Sequence, residues 1–151
     1  MDDRYLFKAK NKNWQELPKD EQWVQGYLFD DGFENGRVFV GGFVIEKYNG
    51  TACDDWAVTG IDFYEIDPNT ICQCTGLKDK NGKLIWENDV ANCLTEDCYG
   101  YIGWNESEAG FYFNVLLEDG GFEEEHLYDY QDGIEVIGNI FDNKELVESE
   151  E

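Results

Sequence analysis

The chain reads as a mainly β protein, on three observations. Short apolar stretches alternate with polar residues at a two-residue period, and Asn-Gly, Gly-Gly and Asp/Asn/Gly-rich segments punctuate them. After Asp67-Pro68, five such stretches follow one another with turns between. Five short, turn-separated strands predict a small, highly bent barrel of SH3-like type, preceded by amino-terminal β-strands, with a β-rich α+β arrangement as the alternative. The expected division is an amino-terminal β-rich segment over 1–69, the barrel over 70–143 and an acidic carboxy-terminal tail over 144–151.

The elements follow in order. Tyr5, Phe7 and Ala9 alternate with charged residues across the basic stretch Arg4 to Lys12, which predicts a first strand. Glu16 to Asp20 has the chemistry of a turn or single helical turn, with Pro18 suited to its start. A strand is expected at Trp23 to Phe29, a loop at Asp30 to Gly36, and a strand at Val38 to Lys47 in which Gly41-Gly42 marks a bulge or bend. Tyr48 to Trp56 reads as another loop and Phe63 to Ile66 as a short strand. Beyond the Asp-Pro seam, strands are expected at Thr70 to Leu77, Leu84 to Cys93, Gly100 to Asn105, Gly110 to Leu117 and Ile134 to Ile140. Glu148 to Glu151 reads as a frayed end.

Composition narrows the classes. With 151 residues, 42% of them apolar and 16% aromatic, the chain can bury a real core, which separates it from disordered acidic tails. No apolar run approaches the roughly 18 residues of a membrane span, and the start MDDRYLFKAKNKNW lacks a secretory core, so a cytoplasmic protein is expected. Five cysteines, an odd number, then read as reduced thiols that pack as small apolar groups.

Charge is the most distinctive global property. The net value is -23, and residues 84–151 hold nineteen acids against Lys144 alone. Binding to nucleic acid draws on cations that displace counterions from phosphates, so a direct DNA or RNA binder is not expected. The acidity suits a host or phage protein with a basic surface, or a well-solvated exterior. Glu118, Asp119, Glu123, Glu124 and Glu125 are the candidate acidic binding face.

Against that background, TGLKDKNGKLIWENDV places three lysines around Asn81-Gly82. Asn-Gly is the strongest short hairpin signal and predicts a two-residue turn with positive φ at both positions. That register sets Lys80 opposite Lys83, Asp79 opposite Leu84, and Leu77 opposite Trp86. Lys78, Lys80 and Lys83 then form a solvated tip, or a positive spot that docks on the acidic half of a second copy. Asn88, within Trp86-Glu87-Asn88-Asp89-Val90, is expected in left-handed geometry as part of a tight turn.

These residues, with IEVIGNIFDNKEL at Ile134 to Leu146, closely resemble the two signature segments of the YopX-like family of small bacteriophage and prophage proteins. Lesser similarity lies at Tyr5 to Ala9 and Val24 to Leu28. Asn88 stands where the family often has Gly, and Lys10 where it often has Trp, which suggests different packing of the first strand. The resemblance implies a β-rich fold and phage or prophage origin, and it carries no catalytic residue.

No group of residues points to catalysis. His126, the one histidine, follows three glutamates in what reads as a solvated acidic loop, and there is no nucleophile elbow, Walker loop or HExxH. Cys72 and Cys74, with Cys93 and Cys98, offer four thiols as a zinc alternative, but neither pair has zinc-knuckle spacing, and Asp79 to Gly82 departs from an EF-hand loop. No cofactor is expected. Trp86 and Trp104 read as core, and Tyr99, Tyr101, Tyr128 and Tyr130 as partly exposed, where with acidic neighbours they would suit a basic or proline-rich peptide. The expected function is non-enzymatic protein binding through an acidic surface, one form being a nucleic-acid mimic. The alternatives are a self-assembling structural module, with the three lysines docking on a neighbour, and a carboxylate-dependent hydrolase.

Overall fold

The structure, a computed structural model, describes residues 2–34, 36–47, 56–130 and 132–148, with the backbone alone at 45–47 and 56–59. The loop expected at Tyr48 to Trp56 therefore falls outside the described residues up to 55, as do Asn35 of the Asp30 to Gly36 loop and Ser149, Glu150 and Glu151 of the frayed end. The chain is mainly antiparallel β and divides into two units. One spans Tyr5–Ile71, and the other combines Met1–Arg4 with Cys72–Glu151.

The Tyr5–Ile71 unit contains β1 (Phe7–Lys10), β2 (Trp23–Asp30), β3 (Val38–Lys47) and β4 (Trp56–Glu65), hydrogen-bonded in the order β4-β3-β2-β1. β4 is much longer than the strand expected at Phe63 to Ile66. Its sequence gives little local cue, and its pairing runs the length of β3, from Phe39 opposite Glu65 to Lys47 opposite Trp56. The bulge lies between Val44 and Ile45, a correction to the reading that put it at Gly41-Gly42. Gly41 serves close approach instead: a Cβ there would meet the Asp62 carbonyl oxygen at 1.9 Å.

The fully buried core of this unit is small. Ala9, Val40 and Ile66 form it, supported by Val24, Leu28, Val38 and Ile71. Lys10 is buried too, at 1% exposure. Its ammonium sits 4.0 Å from the Trp14 ring centroid and 5.5 Å from that of Trp23, and it donates to Gln22 Oε1 at 3.1 Å. A cation thus fills the position at which the family resemblance sets Trp, with aromatic faces brought to it by the chain following β1. Across β2, β3 and β4, by contrast, apolar groups remain exposed, notably Phe43 at 68% and Ile61 at 58%. Phe29 and Phe63 lie edge to face there, with centroids 4.7 Å apart.

The second unit begins with the hairpin of β5 (Cys72–Lys78) and β6 (Leu84–Trp86). It continues through β7 (Asp89–Cys93), β8 (Cys98–Asn105), β9 (Gly110–Leu116), β10 (Phe122–His126), the single helical turn α1 (Leu127–Tyr130) and β11 (Ile134–Asn139). The last five strands form one sheet in the order β10-β9-β8-β7-β11, so the final strand returns beside the first of a meander. That connectivity is compatible with an SH3-like barrel. Ile85, Ala91, Cys93, Ile102, Phe113, Leu127 and Ile134 make its buried core, and Lys144–Leu146 form a short 3-10 turn after β11.

Two local expectations change. Glu123 to His126 are not a loop but strand β10, paired with β9 from Phe122 opposite Leu116 to His126 opposite Tyr112. Three successive glutamates give no apolar alternation, so the pairing edge of β9 decides their conformation. The lysine hairpin also differs from the predicted turn. Gly82 N–H donates to the Asp79 carbonyl at 3.0 Å and Asp79 N–H to the Lys83 carbonyl at 2.8 Å, and Gly82 has φ 79°. Asn81 is absent from the positive-φ residues. This is a three-residue turn ending in a glycine bulge, the geometry favoured when the preceding Asp accepts from the turn's own amides. The register shifts with it: Lys78 faces Leu84 and Cys74 faces Trp86, rather than Leu77 facing Trp86.

Candidate functional site

The motif residues of the second unit bind one another. Asp79 is 6% exposed, and its carboxylate accepts the amides of Asn81 and Lys83, both at 2.9 Å, and of Val136 at 3.1 Å. Burial pushes this carboxyl upward, but the Val136, Lys83 and Asn81 donors together outweigh it and hold the group below its ordinary value. Lys80 N–H donates to the Ile134 carbonyl at 3.0 Å. The Lys80 ammonium lies 3.5 Å from Glu135, and Asn81 Nδ2 donates to Glu135 at 3.3 Å. The hairpin tip is thus tied to β11 of the same chain. Lys78, Lys80 and Lys83 remain exposed, but Lys80 already has an intramolecular partner.

The second half of the motif closes the same way. Asp89 is buried and accepts the Trp86 amide at 2.8 Å. Asn88, at φ 68°, donates its amide to the Ile102 carbonyl at 2.7 Å and accepts from the Ile140 amide at 3.0 Å. Asn139 in turn accepts the amides of Phe141 and Asp142, at 3.0 and 2.9 Å. The two signature segments therefore serve to hold β5, β6, β7 and β11 together, with the side chains of Asp79, Asp89 and Asn139 spent on backbone amides.

The four candidate zinc thiols fall into two pairs. Cys72 and Cys74 are buried on β5, and Cys93 and Cys98 face one another across β7 and β8. Among the described residues, no group of three or more His, Cys, Asp or Glu side chains could hold a metal ion.

An exposed acidic edge runs along β10. Its turn repeats the lysine hairpin: Gly120 N–H donates to the Leu117 carbonyl at 3.0 Å and Leu117 N–H to the Gly121 carbonyl at 2.8 Å, with Gly120 at φ 84°. Asp119 accepts the Gly121 amide at 2.9 Å, while Glu118 is exposed at the tip. Strand alternation splits the three glutamates, placing Glu124 on the face of Phe122 and His126, and Glu123 with Glu125 on the other. The five acids are therefore a rim with two sides rather than one patch.

At one end of that rim, Glu124, Glu125 and His126 join Asn105, Glu108 and Tyr112 around a pocket of about 310 Å³. Asn105 fixes its wall, accepting the Glu108 amide at 3.1 Å and donating its side-chain amide to Glu124. His126 Nε2 lies 3.9 Å from Glu108 Oε2. Burial, followed by the nearby Tyr101, Glu124 and Glu87, holds the Tyr112 phenol protonated above its ordinary range. Sequence reasoning missed Glu108, Asn105 and Tyr112, because only the β9–β10 pairing brings them beside His126. Such a pocket has acceptors for a cationic group. Of the aromatic expectations, Trp86 is buried, but Trp104 is 40% exposed and rests against Phe111. Tyr128 is largely exposed, whereas Tyr130 packs edge to face on Phe113 at 5.3 Å and burial pushes its hydroxyl to about 12.

Fold and motifs define a small two-unit antiparallel β protein in which the segments 75–90 and 134–146 hold the strands of the second unit together. The family model described as YopX protein matches residues 41–148, and the chain belongs to that family. In structure the chain is similar to the crystal structure of protein EF1440 from Enterococcus faecalis, with 24% identity over 94% of this chain and 96% of the other, and a TM-score of 0.43. No curated protein matches the chain. Among the described residues, no helix is long and apolar enough to cross a membrane.

Proposed function

We propose that this protein is a non-catalytic, phage- or prophage-encoded binding protein acting in the cytoplasm, and that its acidic β9–β10 rim engages a basic surface of a host or phage protein. The observation that carries this reading is the pocket of Glu108, Glu124, Glu125 and His126 on an exposed strand edge, in a segment with nineteen acids and one lysine. A lysine or arginine side chain entering it would meet carboxylates without displacing a buried partner. In its sharper form the rim mimics a nucleic-acid backbone, occupying a host protein's DNA site with carboxylates in place of phosphates. No cofactor takes part in this reading.

The test is capture from host lysate by the chain and by a variant in which Glu118, Asp119, Glu123, Glu124 and Glu125 become Gln or Asn. The expected result is a basic or DNA-binding partner retained at low salt and lost in the variant. Capture of the same partner by both proteins, or of none by either, would sink it.

A further inference from the structure

Cys93 and Cys98 are directly opposed at the mouth of the β7–β8 hairpin, closing the loop Leu94-Thr95-Glu96-Asp97. Directly opposed residues of an antiparallel pair have Cα atoms about 4.5–5.5 Å apart, inside the roughly 4.4–6.8 Å that a disulfide spans. Both thiols are free; Cys93 belongs to the buried core and Cys98 is half-buried. The Cys93 sulfur lies 3.3 Å from the Thr95 hydroxyl. Cys72 and Cys74, by contrast, follow one another on a single strand and are not cross-strand partners.

We propose that Cys93 and Cys98 form a reversible disulfide, a redox site that turns the β7–β8 hairpin into a covalent ring. The oxidant is a low-molecular-weight disulfide such as oxidised glutathione. Cys98, the more accessible of the two, attacks as thiolate on one sulfur of the oxidant; that S–S bond breaks, and one reduced thiolate leaves. Cys93, after losing its proton to solvent, then attacks the Cys98 sulfur of the mixed disulfide and expels the second thiolate. Two protein thiols lose two electrons and two protons, the electrons pass to the oxidant's disulfide, and the leaving thiolates are reprotonated.

The local environment sets the rate. Burial first, then the Cys93 sulfur against it and the Glu96 and Asp97 carboxylates, push the Cys98 thiol to about 11. Thiolate is therefore scarce near neutrality, and the first step accelerates about tenfold per pH unit as its population grows. The site is slow at rest and responds to sustained oxidation.

The experiment incubates the folded protein with oxidised glutathione at about pH 8 and about pH 9. Acid quench, alkylation of remaining thiols and peptide mapping by mass spectrometry follow. The expected product is a peptide linking Cys93 to Cys98, formed about tenfold faster at the higher pH, reversed by dithiothreitol, and accompanied by a higher Tm. Cys98→Ser and Cys98→Ala, each checked for native circular dichroism, lose that link. Recovery of both residues alkylated, a glutathione adduct that persists on Cys98 without closing, or a link that forms only in denaturant would overturn the proposal.

Discussion

The two units spend their polar residues differently. In Cys72–Glu151 a buried Asp and a left-handed Asn tie separate strands through backbone groups, beside a core cluster of seven buried apolar side chains. In Tyr5–Ile71 three fully buried apolar residues anchor the core, a buried lysine is held between tryptophans, and aromatic groups stay on the surface of β2–β4. A segment can thus be recognisable because its side chains satisfy its own backbone, and recognisability then marks architecture rather than chemistry.

Substitutions sharpen that contrast, the largest effect first. Gly41→Val places side-chain atoms where the Asp62 carbonyl already sits, 1.9 Å from an added Cβ, and forces β3 from β4. A loss of about 3 kcal/mol is expected. Hydrogen exchange should show it in β2–β4. Asp79→Ala leaves the amides of Asn81, Lys83 and Val136 without their acceptor and should cost about 2–3 kcal/mol, read from urea unfolding. Protection should be lost first at the β5–β6 turn and β11.

The Asp79 carboxylate also predicts a pH dependence. Because folding depresses this carboxyl below 3.8, its contribution is fully present above that value and disappears as pH falls through the lower folded value. Asp79→Asn should therefore flatten the acid limb of stability below about 3.8, which thermal melts across pH will reveal. In the other unit, Lys10→Ala removes the cation from the Trp14 face and should cost about 2 kcal/mol. Tryptophan fluorescence should shift at the same time. Asn88→Val should cost about 1–2 kcal/mol and Asn88→Gly almost nothing, since only the former pays for φ 68°. The smallest effect belongs to Lys80→Ala, whose partly exposed pair with Glu135 contributes under about 1 kcal/mol in chemical denaturation.

Strands whose apolar and polar residues alternate, or that end in turn chemistry, were legible: Val38–Lys47 is observed with the bounds read from sequence. Asn88 is a similar case, because left-handed geometry is a local property of the residue. Glu123 to His126 were not legible as strand, since their conformation is imposed by Tyr112 to Val115 across the ladder. The true register of the lysine hairpin was hidden for a related reason: the acceptor that selects its turn, Asp79, also binds Val136, fifty-seven positions away. The pocket beside His126 escaped because its walls come from three separate segments, whereas Glu118 to Glu125 announced their charge but not the faces they take.

The exposed aromatic face of β2–β4 has a colloidal consequence. At neutral pH the charge of -23 opposes association through the exposed Phe43 and Ile61. Near the isoelectric point of about 4.1 expected from the sequence, that repulsion vanishes while the attraction between apolar faces does not. Turbidity should therefore peak there and fall in a Phe43→Lys/Ile61→Lys variant.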